Sequence, residues 1–233
     1  MATALSSDDP VVKQVYRDFI SGCHILHHHR FATFTNMSTL QKSTANIDSV
    51  LDAYGHLSVR HPHQPDRFIM SRYIAPATIS SERDLVEYRI SDAEPVDPNS
   101  PKGYSERHIH SSILKRFPSV NAVIHSHSDA VVPYTISGVP MRACYHMAGF
   151  LGSGAPVWDI GKLWKDGDRR DMLVSNAYLG DGLAEAFGSE GGEAERAVVL
   201  MRGHGFTVQG ESIMDVVMRA VVSGIGKLVL KMR

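Results

Sequence analysis

Two histidines one residue apart, His125 and His127, close a short apolar run, Ala122-Val123-Ile124, that follows Pro118. Short β-branched runs bounded by breakers read as buried strands. Residues i and i+2 of a strand share a face. Both imidazoles therefore leave one side of the strand, close enough to grip a single divalent ion. Such an ion takes histidine nitrogens at ~2.0–2.1 Å and wants three or more protein ligands. The remaining ligands must come from elsewhere in the chain.

A second apolar run, Ala197-Val198-Val199-Leu200-Met201, leads into Arg202-Gly203-His204-Gly205. It delivers a third imidazole between two glycines that let the backbone approach closely. The carboxylate comes from a predicted helix over 105–117, where Glu106, Ile109, His110, Ile113, Leu114 and Phe117 share one stripe. A carboxylate on a buried stripe is costly unless it is paired or bound to a metal. The candidate ligand set is His125, His127, His204 and Glu106. Three neutral histidines and one carboxylate leave an open position, as a catalytic site requires.

The other elements follow from periodicity. Val12, Tyr16, Phe19, Cys23 and Leu26 predict a helix over 11–29, ending in His27-His28-His29, which point in different directions and read as a solvated helix end. Residues 30–50 are polar and weakly periodic, a loop insertion with room for a short helix near 47–51. Strands over 57–60 and 67–70 form a hairpin across the His61-Pro62-His63-Gln64-Pro65 turn. Ser81 and Asp84 resemble a helix start. Residues 92–103 read as a surface loop, 130–135 as either helix or strand, 156–159 as a short strand and 176–187 as a helix. A last helix carries Ile213, Val216, Val217, Ala220, Val221, Ile225 and Leu228 on one stripe, after a Ser212/Asp215 start.

The 233 residues suit one α/β domain able to bury its own core, and we expect a single domain over 1–233. Net charge is −1 without a basic block, which argues against nucleic acid or an anionic membrane as partner. No run approaches the ~18 apolar residues of a membrane span, and the first residues lack a signal-peptide core. Cys23 and Cys144 are the only two cysteines and lack metal-ligand spacing, so reduced thiols in a cytoplasmic protein are expected.

Three blocks carry a family resemblance: Gly55-His56-Leu57-Ser58-Val59-Arg60, Glu106 through His127, and Ala197 through Gly205. In combination they resemble the class II aldolase/adducin superfamily from about residue 50 onward. The resemblance implies a three-layer α/β/α fold around a central, mainly antiparallel sheet. It implies a C4 homotetramer with active sites at subunit interfaces. It further implies one divalent ion per subunit, Zn2+ or Mn2+ with Fe2+ possible, on His125, His127 and His204, with Glu106 as ligand or acid/base.

The departures from the sugar-phosphate aldolases are informative. His56 replaces an Asn. Ser71-Arg72-Tyr73 and Tyr104-Ser105 stand where those enzymes cradle a phosphate. Arg60 and Arg72 are suited to gripping a carboxylate instead. His146 aligns with the tyrosine that donates a proton across the aldolase interface, and Tyr145 lies beside it. The blocks are closer to a branch that decarboxylates hydroxylated aromatic or pyridine dicarboxylates, and Tyr145 through Gly152 fits that branch. The expected activity is metal-dependent carbon–carbon lysis, foremost decarboxylation of a hydroxylated aromatic or related carboxylic acid, a small-molecule carboxylate substrate. Glu106 and His146 are the acid/base candidates; His56, Ser58, Arg60, Arg72 and Tyr145 are the substrate contacts. Three alternatives are retro-aldol cleavage of an unphosphorylated substrate, Fe(II)-dependent oxygenation, and an adducin-like module without catalysis.

Overall fold

The computed structural model describes residues 9–28, 49–189 and 192–224. Its elements in chain order are α1 (Pro10–His28), β1 (His56–Arg60), β2 (Arg67–Ser71), β3 (Leu85–Arg89), α2 (Arg107–Arg116), β4 (Ala122–Ser126), α3 (Val132–Ile136), β5 (Val157–Trp158), α4 (Ala177–Glu185), β6 (Val198–Met201), β7 (Gly205–Gly210) and α5 (Ile213–Gly224). The strands form one sheet in the order β3-β2-β1-β4-β7-β6-β5. Every pairing is antiparallel except β5 with β6.

Strand alternation sorts the side chains into two cores. Leu57 and Val59, Ala122 and Ile124, Val198 and Leu200, and Phe206 and Val208 point to one face, where they pack with Phe19, Cys23 and Leu26 of α1 and Val216, Val217 and Ala220 of α5. Phe68, Met70, Val123, Val199 and Met201 point to the other face, against Ile109, Ile113 and Leu114 of α2 and Leu179, Leu183 and Ala184 of α4. The result is the expected three-layer arrangement. Each fully buried Phe or Leu contributes roughly 1.5–3 kcal/mol relative to exposure.

Local chemistry fixes the helix starts. The Asp9 carboxylate accepts from the Val11 and Val12 amides at 2.8 and 3.3 Å, just before Pro10, which has no amide to satisfy. Asn176 accepts from the Leu179 amide at 2.9 Å to open α4. Ser212 Oγ accepts from the Asp215 amide at 3.1 Å, as its spacing suggested.

Several expectations change. The helix start at Ser81 yields a single 3-10 turn over Glu82–Asp84 and then the edge strand β3. Residues 132–136 are helical, which resolves the ambiguity at 130–135. Strand β7, not expected from the sequence, supplies the neighbour of β4. Most of the expected insertion at 30–50, His29, and Ile225 and Leu228 of the last helix lie outside the described residues. Among the described residues, no helix is long and apolar enough to cross a membrane.

Helices α2 and α4 cross closely at Gly180, where an added Cβ would lie 2.5 Å from the His108 carbonyl oxygen and 2.6 Å from Ser112 Oγ. Gly180→Ala must push the two helices apart. We expect it to lower stability by about 1–3 kcal/mol, measured as a reduced urea midpoint with unchanged slope.

Candidate metal centre

The sheet registers bring the chemistry together. His56 of β1 lies opposite His125 of β4, and His125 lies opposite Thr207 of β7. His125 shares the face of Val123, the side covered by α2. His127 follows two residues later, beyond the strand end. The turn between β6 and β7 carries His204, with Gly203 at φ 67° and Gly205 packed against β4. A Cβ on Gly205 would collide with the Ser126 carbonyl oxygen, so only glycine lets this turn approach. Glu106 precedes α2 and is 6% exposed.

Glu106, His125, His127 and His204 each offer a ligand atom within 4.8 Å of the others. His127 Nε2 stands 3.0 Å from His125 Nε2 and 3.1 Å from His204 Nε2. Glu106 Oε2 stands 3.6 and 3.7 Å from the Nε2 atoms of His125 and His204. Ligands ~2.0–2.1 Å from a tetrahedral centre lie about 3.3–3.4 Å apart, so these separations bracket the requirement.

The outer nitrogens define the tautomers. His125 Nδ1 donates to the Phe206 carbonyl at 3.2 Å. His127 Nδ1 donates to the Asp52 carboxylate at 3.2 and 3.3 Å. A neutral imidazole carries one proton, so the inward Nε2 atoms of both rings are bare lone pairs. Lone pairs facing each other at 3.0 Å repel unless a cation lies between them. The residues therefore fit a divalent ion.

Electrostatics agree. Burial and neighbouring histidines hold His125 well below its ordinary range, and burial and His127 push His204 down to about 4. These rings are neutral, as ligands must be. Burial pushes Glu106 up to about 7, against the opposing Val174 amide, which donates to Oε1 at 3.0 Å. A cation beside Oε2 reverses that preference.

The other expected site residues are distributed differently. His56 is 2% exposed, with Nε2 4.0 Å from Glu106 Oε2 and its ring 5.2 Å from that of His125. His110 does not pair with Glu106, although both were expected on one stripe; it bonds Ser58 and His56. Ser58 is fully buried and reaches the centre only through His110, which corrects its expected contact with substrate. Arg60 is also corrected. It lies at the far end of β1, and its guanidinium donates to the carbonyls of Leu114, Val120, Pro65 and Phe117 at 2.7–3.4 Å, tying β1 to the end of α2. The β1–β2 register carries Arg72 to the His56 end. Arg72 is half exposed, with Nε 3.0 Å from Asp84 Oδ1. Tyr145 and His146 are exposed and make no contact with the cluster among the described residues; their rings lie 6.1 Å apart.

Sequence reasoning missed Asp52. It also accepts from the Tyr54 and Gly55 amides at 3.0 and 2.6 Å, an Asx turn that aims the carboxylate at His127. The signal was present as Asp52-Ala53-Tyr54-Gly55 immediately before β1. Tyr104, singled out only as a departure at the phosphate-cradle position, packs its ring 4.6 Å from that of His56.

Comparison with known proteins agrees with this geometry. Residues 35–223 match the family described as Class II Aldolase and Adducin N-terminal domain. The chain is 51% identical over 207 residues to the decarboxylase tropJ of Talaromyces stipitatus, covering 88% of this chain and 71% of that protein. It is 31% identical over 183 residues to the 3,4-dihydroxyphthalate decarboxylase of Arthrobacter keyseri, covering 72% of this chain and 64% of the other. The fold matches L-fuculose-1-phosphate aldolase from Thermus thermophilus with a TM-score of 0.64 at 16% identity, over 94% of this chain and 93% of that one.

Two outcomes follow from the ligand geometry. Asp52→Asn, which removes the charge orienting His127, is expected to weaken zinc binding about 10–100-fold in competition titrations with a chelator. Zinc affinity is also expected to fall by about tenfold or more per pH unit below pH ~7, because the ion must displace the Glu106 proton. Above that pH this contribution disappears, and Glu106→Gln abolishes it; potentiometric titration of proton release reads both effects.

By its matched residues and its relatives, the chain is a lyase that belongs to the class II aldolase and adducin N-terminal domain family.

Proposed function

We propose that this protein is a divalent-metal-dependent decarboxylase of an ortho-hydroxylated aromatic acid. The observation that carries the reading is the convergence of three imidazoles and one buried carboxylate beside His56. Relatives named as decarboxylases of this family, one of them acting on 3,4-dihydroxyphthalate, support the choice of reaction and substrate class.

His125, His127, His204 and Glu106 would hold the ion. When bound, it supplies Lewis-acid polarisation of a substrate oxygen. In the reaction the bond from ring carbon to carboxyl carbon breaks and CO2 leaves. A proton adds to that carbon beforehand, turning the ortho oxygen into a carbonyl, so that the electron pair of the breaking bond returns to the ring and to that oxygen as CO2 departs. The protein's task is to orient the carboxylate, exclude water and deliver the proton. Glu106 is one candidate donor, with Oε1 pinned by the Val174 amide and Oε2 facing the centre. His146 from a neighbouring subunit is the other, which accords with its exposure in the single chain. Arg72, with one edge on Asp84, would offer its remaining donors to a second carboxylate, and Tyr145 would reach the substrate from the same exposed segment as His146. We assign Zn2+ or Mn2+ as the ion, with Fe2+ as the third choice. The working assembly is a homotetramer in the cytoplasm with its sites between subunits, and Cys23 and Cys144 are unpaired.

Purified protein loaded in turn with Zn2+, Mn2+ or Fe2+ is expected to release CO2 from 3,4-dihydroxyphthalate or another ortho-hydroxy aromatic acid, without consuming oxygen. His127→Ala and chelation should each reduce the rate about a hundredfold or more. Release that persists undiminished in both, or aldehyde release from an unphosphorylated aldol in its place, overturns the reading.

A further inference from the structure

A chain of three buried side chains runs from the middle of β1 to the metal centre. Ser58 Oγ lies 2.7 Å from His110 Nδ1, and His110 Nε2 lies 2.7 Å from His56 Nδ1. His56 Nε2 then faces Glu106 Oε2 at 4.0 Å and has no hydrogen-bond partner. Ser58 and His110 are fully buried and His56 is 2% exposed, so no bulk water assists them.

The direction of the hydrogen bonds can be derived from the two ends. A neutral imidazole has one donor and one acceptor nitrogen, so the two bonds must run the same way along the chain. If His110 donated to Ser58, the Ser58 hydroxyl would need another acceptor, and none lies within reach among the described residues. A buried hydroxyl proton without an acceptor is costly. The Ser58 hydroxyl therefore donates to His110 Nδ1, and His110 Nε2 donates to His56 Nδ1. The proton of His56 must then sit on Nε2. The far end agrees, since an N–H facing the Glu106 carboxylate is attracted where a lone pair would be repelled.

We propose that Ser58 and His110 lock His56 in the tautomer protonated on Nε2, making it a fixed neutral donor for a substrate carboxylate oxygen beside the metal ligands. This rests on the decarboxylase reading for the identity of the ligand, but not for the lock itself. His56 is thus distinct from His125 and His127, whose outward Nδ1 donors leave Nε2 bare for a cation. His125 and His127 turn acceptors toward the centre or its ion, and His56 turns a donor. The arrangement selects substrates with an anionic oxygen on the His56 side. Ser58 and His110 act as positioning residues through His56.

The test is nitrogen-15 NMR of the zinc-loaded full chain labelled in histidine, with ring signals assigned by their loss in His56→Gln and His110→Gln. Couplings to ring protons distinguish protonated from bare nitrogens. The expected result is His56 and His110 both protonated at Nε2, with a second His56 form, protonated at Nδ1, appearing in Ser58→Ala. A bare His56 Nε2 in the unsubstituted protein, or an unchanged His56 spectrum in Ser58→Ala, overturns the lock. For the ligand role, phthalate serves as an unreactive dicarboxylate probe in calorimetric titration. His56→Phe should weaken it roughly ten- to hundredfold while zinc stoichiometry is kept. Equal affinity, or loss of zinc in that variant, contradicts the donor role. Unsubstituted protein that does not bind phthalate contradicts the substrate class alone, and the ring tautomers decide the lock in either case.

Discussion

The Nε2 atom of His127 stands 3.0 Å from that of His125 and 3.1 Å from that of His204, and bare imidazole nitrogens this close are a repulsive arrangement that the fold enforces. The enforcement is not local. His125 is fixed by pairing of β4 on both sides, to β1 and to β7. His204 is carried in by a turn whose two glycines remove the Cβ atoms that would hold it away. Glu106 is anchored at the start of α2 by the Val174 amide. A cation converts this repulsion into attraction, and the buried carboxylate, costly alone, completes the charge. Helices α2 and α4, pressed together at Gly180, seal the face on which the cluster sits.

Around the cluster lies a set of hydrogen bonds that decides which nitrogen faces inward. Phe206 and Asp52 take the outer protons of His125 and His127. Ser58 and His110 fix His56 in the opposite sense. Donor and acceptor character is thus assigned ring by ring, for His56 and His125 away from bulk water and for His127 at the partly exposed rim. The same histidine type serves two roles because its neighbours differ.

The three converging histidines were legible because two physical rules apply without knowledge of the fold. Strand alternation puts His125 and His127 on one side, and glycines flanking His204 announce a close approach. The fold's layers were legible in the same way, from alternating runs and helical stripes. Asp52 was not, because it acts across 75 residues on His127 and is followed by an unremarkable Ala-Tyr-Gly turn. Strand β7 was hidden by its terminal glycines and by Thr207 and Gln209, although Phe206 and Val208 alternate correctly. Strand β3 was obscured by the Ser81/Asp84 signal, which caps one turn before Val86 and Tyr88 take up the alternation. Arg60 was misassigned because residue type identifies what a guanidinium can bind, whereas only the register shows that backbone carbonyls at the end of α2 reach it first.

The central claim is that Glu106, His125, His127 and His204 share one divalent ion. X-ray absorption at the edge of the metal bound to the purified protein tests it most directly. The account predicts one ion per chain with three imidazole nitrogens and at least one oxygen in its first coordination shell, one imidazole fewer in His204→Ala. An ion with fewer than three imidazoles in the unsubstituted protein, or a spectrum that His204→Ala leaves unchanged, would contradict it.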